Sequence, residues 1–217
     1  MTDPRTRIIE AAARCYALSG SRGATTRRIA EEAGVNEITL FRHFGSKEAL
    51  LDLVVREWGA MQEPPSLPDP PVDPIAELTA WVRHQHEEIS KWRTFIRRTL
   101  AEQAEHPDAI KTTCDSSTYS SAHLHAYVER LREHGFLLPA SVRRAQDTPH
   151  ACVMLPATLF TDALWRDLMP TMFAGTAEES IAAYVRLFAQ GIGLREEYFS
   201  SSTAEAGASG DALRLAS

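Results

Sequence analysis

The chain has 217 residues, of which 44% are hydrophobic, 24% charged and 8% aromatic, and its formal net charge is −6. This is an ordinary globular composition, and the longest uncharged stretch, Thr148 to Thr161, is too short to span a bilayer. The charged N-terminus lacks the apolar run of a signal peptide, and three widely spaced cysteines do not make a disulfide framework. We therefore expect a soluble, cytoplasmic protein that does not enter a membrane.

The net charge hides a difference between two parts of the chain. Residues 1–60 carry nine Lys and Arg against eight Asp and Glu, whereas residues 61–217 carry fourteen against twenty-one. A neutral to slightly basic head on an acidic body indicates two functions in one chain.

Helix signals fill the first sixty residues, with almost no strand alternation. The helices predicted there are Pro4 to about Ser19, Thr26 to Ala33, Glu37 to Phe44, and Ala49 to about Met61. Thr25 and Asn36 are suited to cap the second and third helices, because their side chains can accept from unpaired helical N–H groups. Gly34 allows a tight turn between these two helices.

Two short helices joined by a glycine-containing turn are typical of a helix-turn-helix, whose second helix enters the major groove of DNA. Ala30 is small enough for the helices to cross closely, and either Ile38 or Leu40 could lie on the inner face. Cationic side chains gather at the helix ends, namely Arg27, Arg28, Arg42, His43 and Lys47. A plain three-helix cluster with solvated charges is the alternative interpretation of the same pattern.

The run TTRRIAEEAGVNEITLFRHFGSKEALLDLV, residues 25–54, resembles the DNA-binding domain of TetR-family transcriptional regulators. The matching features are the Thr-Thr-x-x-Ile-Ala opening, Gly34-Val35, Thr39-Leu40, the aromatic-x-His-Phe of Phe41 to Phe44, and Ser46-Lys47-Glu48. The rest of the chain matches only in the order and number of its helices. The resemblance implies an all-α fold, with an N-terminal three-helix DNA-binding head and a C-terminal helical body for ligand binding and dimerisation.

The resemblance also implies which residues contact DNA. They are Thr25, Thr26, Arg27, Arg28, Asn36, Glu37, Ile38, Thr39, Phe41, Arg42, His43 and Lys47. Arg27 is predicted to read a guanine, because a guanidinium can contact O6 and N7 together. His43 and Lys47 are predicted to contact phosphates, with Lys47 at the start of the fourth helix.

Several of these positions allow two roles. Ile38 and Thr39 could meet a thymine methyl, and Glu37 could either accept from a cytosine amine or stabilise its own helix N-terminus. Phe41 stands where the family often has Tyr, so a contact made by that hydroxyl is absent here. Its ring could press on the DNA or belong to the core.

The predicted domains are a DNA-binding head at 1–60, a Pro-rich connector at 61–74, an effector-binding and dimerisation body at 75–199, and a disordered tail at 200–217. Six prolines between residues 62 and 74 prevent a helix there. The helices predicted in the body are Ile75 to Trp92, Phe95 to Ala104, Asp108 to His134, about Pro149 to Met169, and Ala177 to Gly193.

The last two predicted helices are apolar around most of their circumference, and such helices must be buried on several sides. A homodimer through a four-helix interface would bury them, as the resemblance also implies. A monomer that buries both helices internally is the alternative. A two-fold dimer predicts a near-palindromic operator in double-stranded DNA.

The resemblance implies a small-molecule effector inside the body, apolar or amphipathic in nature, whose binding releases the DNA. The predicted ligand-binding residues are large inward side chains, namely Trp81, Trp92, Phe95, Tyr119, His123, Tyr127, Met154 and Trp165. Each of them could also be plain core.

Other classes of function find little support in the sequence. No catalytic or phosphate-binding motif is present, so we predict neither an enzyme nor a cofactor. The pairs His84-x-His86 and His123-x-His125 cannot chelate a metal singly, because residues two apart point to different sides of a helix. A site shared between helices stays open, as does a redox role for Cys114 or Cys152.

Overall fold

A computed structural model describes the backbone of residues 3–61, 65–105, 115–139 and 142–199, and the side chains of all of these except 56–61, 115–119 and 142–146. In this described part the α-helices are α1 Pro4–Gly23, α2 Thr26–Ala33, α3 Glu37–Phe44, α4 Lys47–Met61, α5 Pro74–Glu105, α6 Asp115–Glu133, α7 Val142–Trp165 and α8 Ala177–Ile192. The all-helical prediction is confirmed. The predicted tail at 200–217 lies outside the described residues.

The bounds of α2 and α3 are those predicted from the sequence, because local side chains set them. The Thr25 hydroxyl accepts from Arg28 N at 3.3 Å, and Asn36 Oδ1 accepts from Thr39 N at 2.8 Å. Gly34 takes the left-handed conformation, with φ +65°, and its N–H closes the end of α2. The turn between the helices is therefore as tight as predicted.

The regular part of α1 stops at Gly20, as predicted, but the helix as a whole does not end there. Gly20 adopts φ +67° and ψ −175°, which kinks the helix, and a last turn continues to Gly23. The kink gives the chain a new direction while Ala24 N still donates to Gly20 O at 3.0 Å.

Two predictions about the body helices are wrong. The segments Ile75 to Trp92 and Phe95 to Ala104 form one continuous helix, α5, because neither Gly nor Pro interrupts the buried apolar stripe that passes through Phe95 and Ile96. Helix α7 starts at Val142 instead of Pro149 and ends at Trp165 instead of Met169.

Helix α7 contains both Pro149 and Pro156 in its interior, where each removes a backbone donor. A short 3₁₀ turn, Pro170–Met172, follows it, and a capping box then begins α8. In that box Thr176 Oγ1 accepts from Glu179 N while the Glu179 carboxylate accepts from Thr176 N. Within the described part of the chain no helix is long and apolar enough to cross a membrane.

The chain forms two compact units that share α5. The first unit comprises residues 1–63 and 88–116, and the second comprises residues 64–87 and 117–217. The core of the first unit joins the apolar faces of α1 to α4 with the C-terminal half of α5. Its largest fully buried side chains include Ile8, Ile29, Leu40, Leu50, Phe95 and Ile96.

The second unit packs the N-terminal half of α5 with α6, α7 and α8 around Trp81, Tyr127, Leu155 and Phe188. The connector is held onto this core, since Leu67 is buried and its carbonyl accepts from Arg130 Nη2 at 3.1 Å. The phenol of Tyr127 donates to Glu77 in the first turn of α5. Burial and this carboxylate raise the pKa of Tyr127, so the hydroxyl stays a donor.

Asp162 on α7 is a fully buried carboxylate with partners on three elements. Arg166 donates to both of its oxygens at 2.6 Å, Tyr184 OH on α8 donates at 2.7 Å, and His86 Nε2 on α5 lies 3.3 Å away. Burial by itself would raise the pKa of Asp162, but hydrogen bonds from Arg166, Tyr184 and His86 outweigh burial and lower it.

We expect Asp162→Asn to lower the free energy of unfolding at pH 7 by about 3 kcal/mol, because it leaves the Arg166 guanidinium without its buried counter-charge. The folded-state pKa of Asp162 is lowered, so its contribution is present above the ordinary pKa of about 4 and is lost as the pH falls through the lowered value. The difference between variant and wild type should therefore shrink in acid.

Urea unfolding between pH 3 and pH 7 measures this difference. The matched control is Glu178→Gln, which breaks the exposed pair between Glu178 and Arg83 and should cost about 1 kcal/mol or less. Equal stability of Asp162→Asn and the control at pH 7 would show that the buried cluster contributes nothing.

Candidate nucleic-acid interface

The outward face of α3 carries the side chains predicted to meet DNA bases. Leu40 is fully buried, whereas Ile38 is 78% exposed, so Leu40 and not Ile38 lies on the inner face of α3. Phe41 is 47% exposed, which leaves much of its ring available to a ligand. Arg42 and His43 are also exposed. The helix therefore presents a mixed apolar and cationic face to solvent.

The N-terminal ends of α2 and α3 are tied together by a side-chain hydrogen bond. Thr26 Oγ1 donates to Glu37 Oε2 at 2.7 Å, which joins the first turns of the two helices. Of the two roles open to Glu37, this bond matches the structural one, because the carboxylate also lies where the α3 dipole favours negative charge. Thr39 Oγ1 donates to the capping Asn36 at 3.0 Å.

Arg27 projects from the first turn of α2 into solvent. Its side chain is 79% exposed, and its Nε donates to Glu31 Oε1 at 2.9 Å, one turn along the same helix. An exposed pair of this kind is weak, so the guanidinium can exchange Glu31 for another acceptor at low cost.

Two of the cations predicted to gather at the helix ends, Arg28 and Lys47, reach the last part of α1. Arg28 Nη1 donates to Ser19 Oγ at 2.6 Å, and Lys47 Nζ donates to the Ser21 carbonyl at 2.9 Å. No sequence pattern pointed to Ser19 or Ser21, since both contacts depend on how α1 packs beside α2 and α4.

The predicted ligand-binding residues do not form one group. Trp81 and Tyr127 are buried in the core of the second unit, and Trp165 and His123 are half-buried residues of the same unit. Phe95 lies in the first unit instead, where its ring is 5.1 Å from Tyr16 and 6.1 Å from Trp92. The side chain of Tyr119 lies outside the described residues.

Met154 is not an inward residue, contrary to the prediction. The inner stripe of α7 contains Cys152, Leu155 and Leu159, and a residue two positions after Cys152 points away from that stripe. Met154 is accordingly 65% exposed. The structure instead places polar side chains missed by the sequence analysis inside the second unit, where Gln85 Nε2 donates to Ser120 Oγ at 3.3 Å.

The described residues form neither a metal site nor a reactive thiol that would support the metal and redox alternatives. His84 and His125 are exposed, His86 faces Asp162, and no group of three or more His, Cys, Asp or Glu in the described part could hold a metal ion. Burial raises the pKa of Cys15 and of Cys152 to about 11, so both thiols stay protonated and unreactive near neutral pH. Cys114 lies outside the described residues.

Helices α7 and α8 pack against each other and leave an apolar outer face. Leu155, Leu159, Ile181, Val185 and Phe188 fill the contact with the core. Large apolar side chains on the other side of the pair and in the turn between its helices are exposed, namely Val153, Met154, Leu168, Met169, Met172 and Leu187.

Known proteins resemble the chain most clearly in its head. Residues 8–54 match the family model of bacterial regulatory proteins, tetR family. The HTH-type transcriptional repressor AcnR of Corynebacterium glutamicum is 45% identical over 56 residues, which is 26% of this chain and 30% of that protein. The HTH-type transcriptional repressor KstR2 of Rhodococcus jostii is 40% identical over 52 residues, covering 24% of this chain and 26% of that protein. The matches thus span less than a third of either relative.

Solved structures share the fold over most of the chain. SmeT, the repressor of the Stenotrophomonas maltophilia multidrug efflux pump SmeDEF, superposes with a TM-score of 0.65 at 20% identity, covering 90% of this chain and 92% of that one. A tetR-family regulatory protein from Rhodococcus RHA1 gives 0.62 at 18% identity, covering 90% of this chain and 100% of that one. The head therefore matches the tetR family model, and the fold of the chain is shared with solved members of that family.

Proposed function

We propose that the chain is a ligand-responsive transcriptional regulator that represses genes by binding a near-palindromic DNA operator as a dimer. The observation that carries the proposal is the outward face of α3, where Ile38, Phe41 and Arg42 are exposed on a helix whose buried side is fixed by Leu40. Such a helix fits the major groove, where apolar groups meet thymine methyls and arginines meet guanines. The repressors among the relatives of its head support repression as the mode of regulation.

The contacts divide into those that read bases and those that hold phosphates. Arg27, Ile38, Thr39, Phe41 and Arg42 face the bases in this proposal. Backbone phosphates are held by Thr25, Arg28, Asn36, His43 and Lys47 in this proposal. Thr26 and Glu37 instead bond to each other and hold the first turns of α2 and α3 together. Because Arg27 gives up only an exposed pair with Glu31, its guanidinium is available for a guanine edge.

We expect Arg27→Ala to relax sequence preference at one base pair of each half-site, with a loss of about 1–3 kcal/mol for the preferred base. Affinity for unrelated duplexes should fall much less, since the phosphate contacts remain. Selection and sequencing of retained duplexes from a random DNA pool at moderate salt measures both effects.

The matched control is Arg83→Ala, which removes an exposed, carboxylate-paired arginine of the second unit and should leave the selected sequence unchanged. An identical base preference in Arg27→Ala and wild type would contradict the role of Arg27. If the wild-type protein is folded and enriches no sequence, the head lacks a DNA function, and a protein-interaction module becomes the better interpretation.

The dimer is proposed to form through the outer face of α7 and α8. Exposed apolar side chains on both helices, with Met154 on α7 and Leu187 on α8, form the kind of face that self-association buries. A two-fold axis through this face would make the interface self-complementary and would impose a palindromic operator.

We expect Leu187→Glu to convert the dimer into monomers, because it places a carboxylate on the 65% exposed leucine at the centre of α8. Sedimentation equilibrium gives the mass, and binding to full and half operators gives the functional consequence. The control is Val72→Glu, on an exposed valine of the connector, which should stay dimeric. A dimeric Leu187→Glu protein would place the interface elsewhere.

The effector is proposed to be a small apolar or amphipathic molecule that binds in the body and lowers operator affinity. Of the predicted ligand-binding set, we keep Trp81, His123, Tyr127 and Trp165 in the second unit, with Trp92, Phe95 and Tyr119 as further candidates. An effector that prefers the non-binding state shifts the equilibrium by its differential affinity for the two states.

A further inference from the structure

The kink in α1 frees a backbone N–H that one carboxylate captures. Beyond Gly20 the chain leaves the helical path, so Ser21 N lacks the helical acceptor it would otherwise use. Ser21 N donates instead to Glu102 Oε1 on the C-terminal half of α5, at 2.8 Å. A backbone donor satisfied by a charged acceptor makes one of the stronger hydrogen bonds in a protein.

Glu102 is held in this position from two further sides. Its Oε2 accepts from Tyr16 OH at 3.2 Å, and its Oε1 also lies 3.3 Å from Arg98 Nε. Its side chain is only 16% exposed. Burial raises the pKa of Tyr16 to about 12, so that hydroxyl remains a donor. Burial by itself would raise the pKa of Glu102, yet hydrogen bonds from Ser21 and Tyr16 lower it, and the group stays a carboxylate.

Gly20 fits this arrangement in two ways. Its φ of +67° lies in the left-handed region, where residues with a Cβ are strained. A Cβ at that position would also collide with the Arg98 guanidinium and the Glu102 carboxylate. Glycine at this position therefore lets the ends of both side chains lie against the kink without having to shift.

Ser21, whose N–H donates to Glu102, also accepts a hydrogen bond from Lys47. The carbonyl of Ser21 accepts from Lys47 Nζ at 2.9 Å, and Lys47 is the first residue of α4. An ammonium has three N–H donors, so the bond to Ser21 fixes the direction of the other two. Glu102, Ser21 and Lys47 thus form a continuous chain of hydrogen bonds inside the first unit.

We infer that Glu102 is a positioning residue for DNA binding, which acts through Ser21 to aim the Lys47 ammonium at a phosphate. The inference rests on the proposed function, because it takes Lys47 as a phosphate contact. Glu102 itself does not touch DNA in this scheme. Its effect should accordingly be lost when Lys47 is absent.

The test compares Glu102→Ala, Lys47→Ala and the double variant on the operator selected by the wild-type protein, from low to moderate salt. We expect each single variant to weaken binding about tenfold and to reduce the slope of log K against log [salt] by about 0.9 for each subunit, which is one lost phosphate contact. The double variant should bind no more weakly than Lys47→Ala. The matched control is Glu105→Ala, an exposed carboxylate one turn further along α5, which should leave affinity and slope unchanged.

Two measurements separate positioning from general loss of structure. Glu102→Gln keeps a carbonyl acceptor for Ser21 N and should stay within about threefold of wild-type affinity with the full salt slope. In the absence of DNA, the Ser21 amide should exchange its hydrogen faster in Glu102→Ala than in the wild-type protein. Its exchange rate should not change in Glu105→Ala, and the variants should melt at the same temperature as the wild-type protein.

The outcomes are distinct. Unchanged salt slope in a folded Glu102→Ala protein, or losses that add fully in the double variant, would overturn the inference and leave DNA binding intact. If Glu102→Ala does not fold, Glu102→Gln provides the test. A Glu102→Gln protein whose Ser21 amide still exchanges slowly, but whose salt slope is reduced by one phosphate contact, would overturn the inference equally. If wild-type protein selects no duplex, the DNA-binding proposal fails and the inference fails with it.

Discussion

The tight turn at Gly34 is the constraint on which the head depends. Its left-handed backbone ends α2 and lets Asn36 cap α3 two residues later, so the two helices must cross at close range. Ala30 and Leu40 are buried at this crossing. Once that side is fixed, the helical period leaves Ile38 and Arg42 on the opposite face, in solvent. The candidate DNA surface is thus a consequence of backbone geometry at one glycine.

Three of the cations predicted to contact DNA have local acceptors within the head. Arg27 pairs with Glu31, Arg28 with Ser19, and Lys47 with the Ser21 carbonyl. Since residues 1–60 carry almost as many acidic as basic groups, undirected attraction to DNA is small. Affinity in such a head depends on where each cation is placed, which is why an internal carboxylate such as Glu102 acquires a role.

The second unit contains a cluster of buried polar side chains around Asp162, within an otherwise apolar core. Asp162 gathers Arg166, Tyr184 and His86 between three helices, and the bonds to Tyr184 and His86 require particular placements of α8 and α5 against α7. A buried ion pair adds little net stability but a broken one is costly, so the cluster favours one packing arrangement over its neighbours. That arrangement leaves Met154 and Leu187 on the outer face.

The sequence by itself determined those features that depend on residues within about one helical turn of each other. The bounds of α2 and α3 followed from Thr25 and Asn36 and from the glycines at their ends, because a cap acts within one helical turn. It also predicted the exposed Arg27, which needs only its own helix. Tertiary structure decided the rest. The continuity of α5, the exposure of Met154 and the contacts of Lys47 and Glu102 join residues distant in sequence, and no local pattern encodes which distant group will satisfy a buried donor or acceptor.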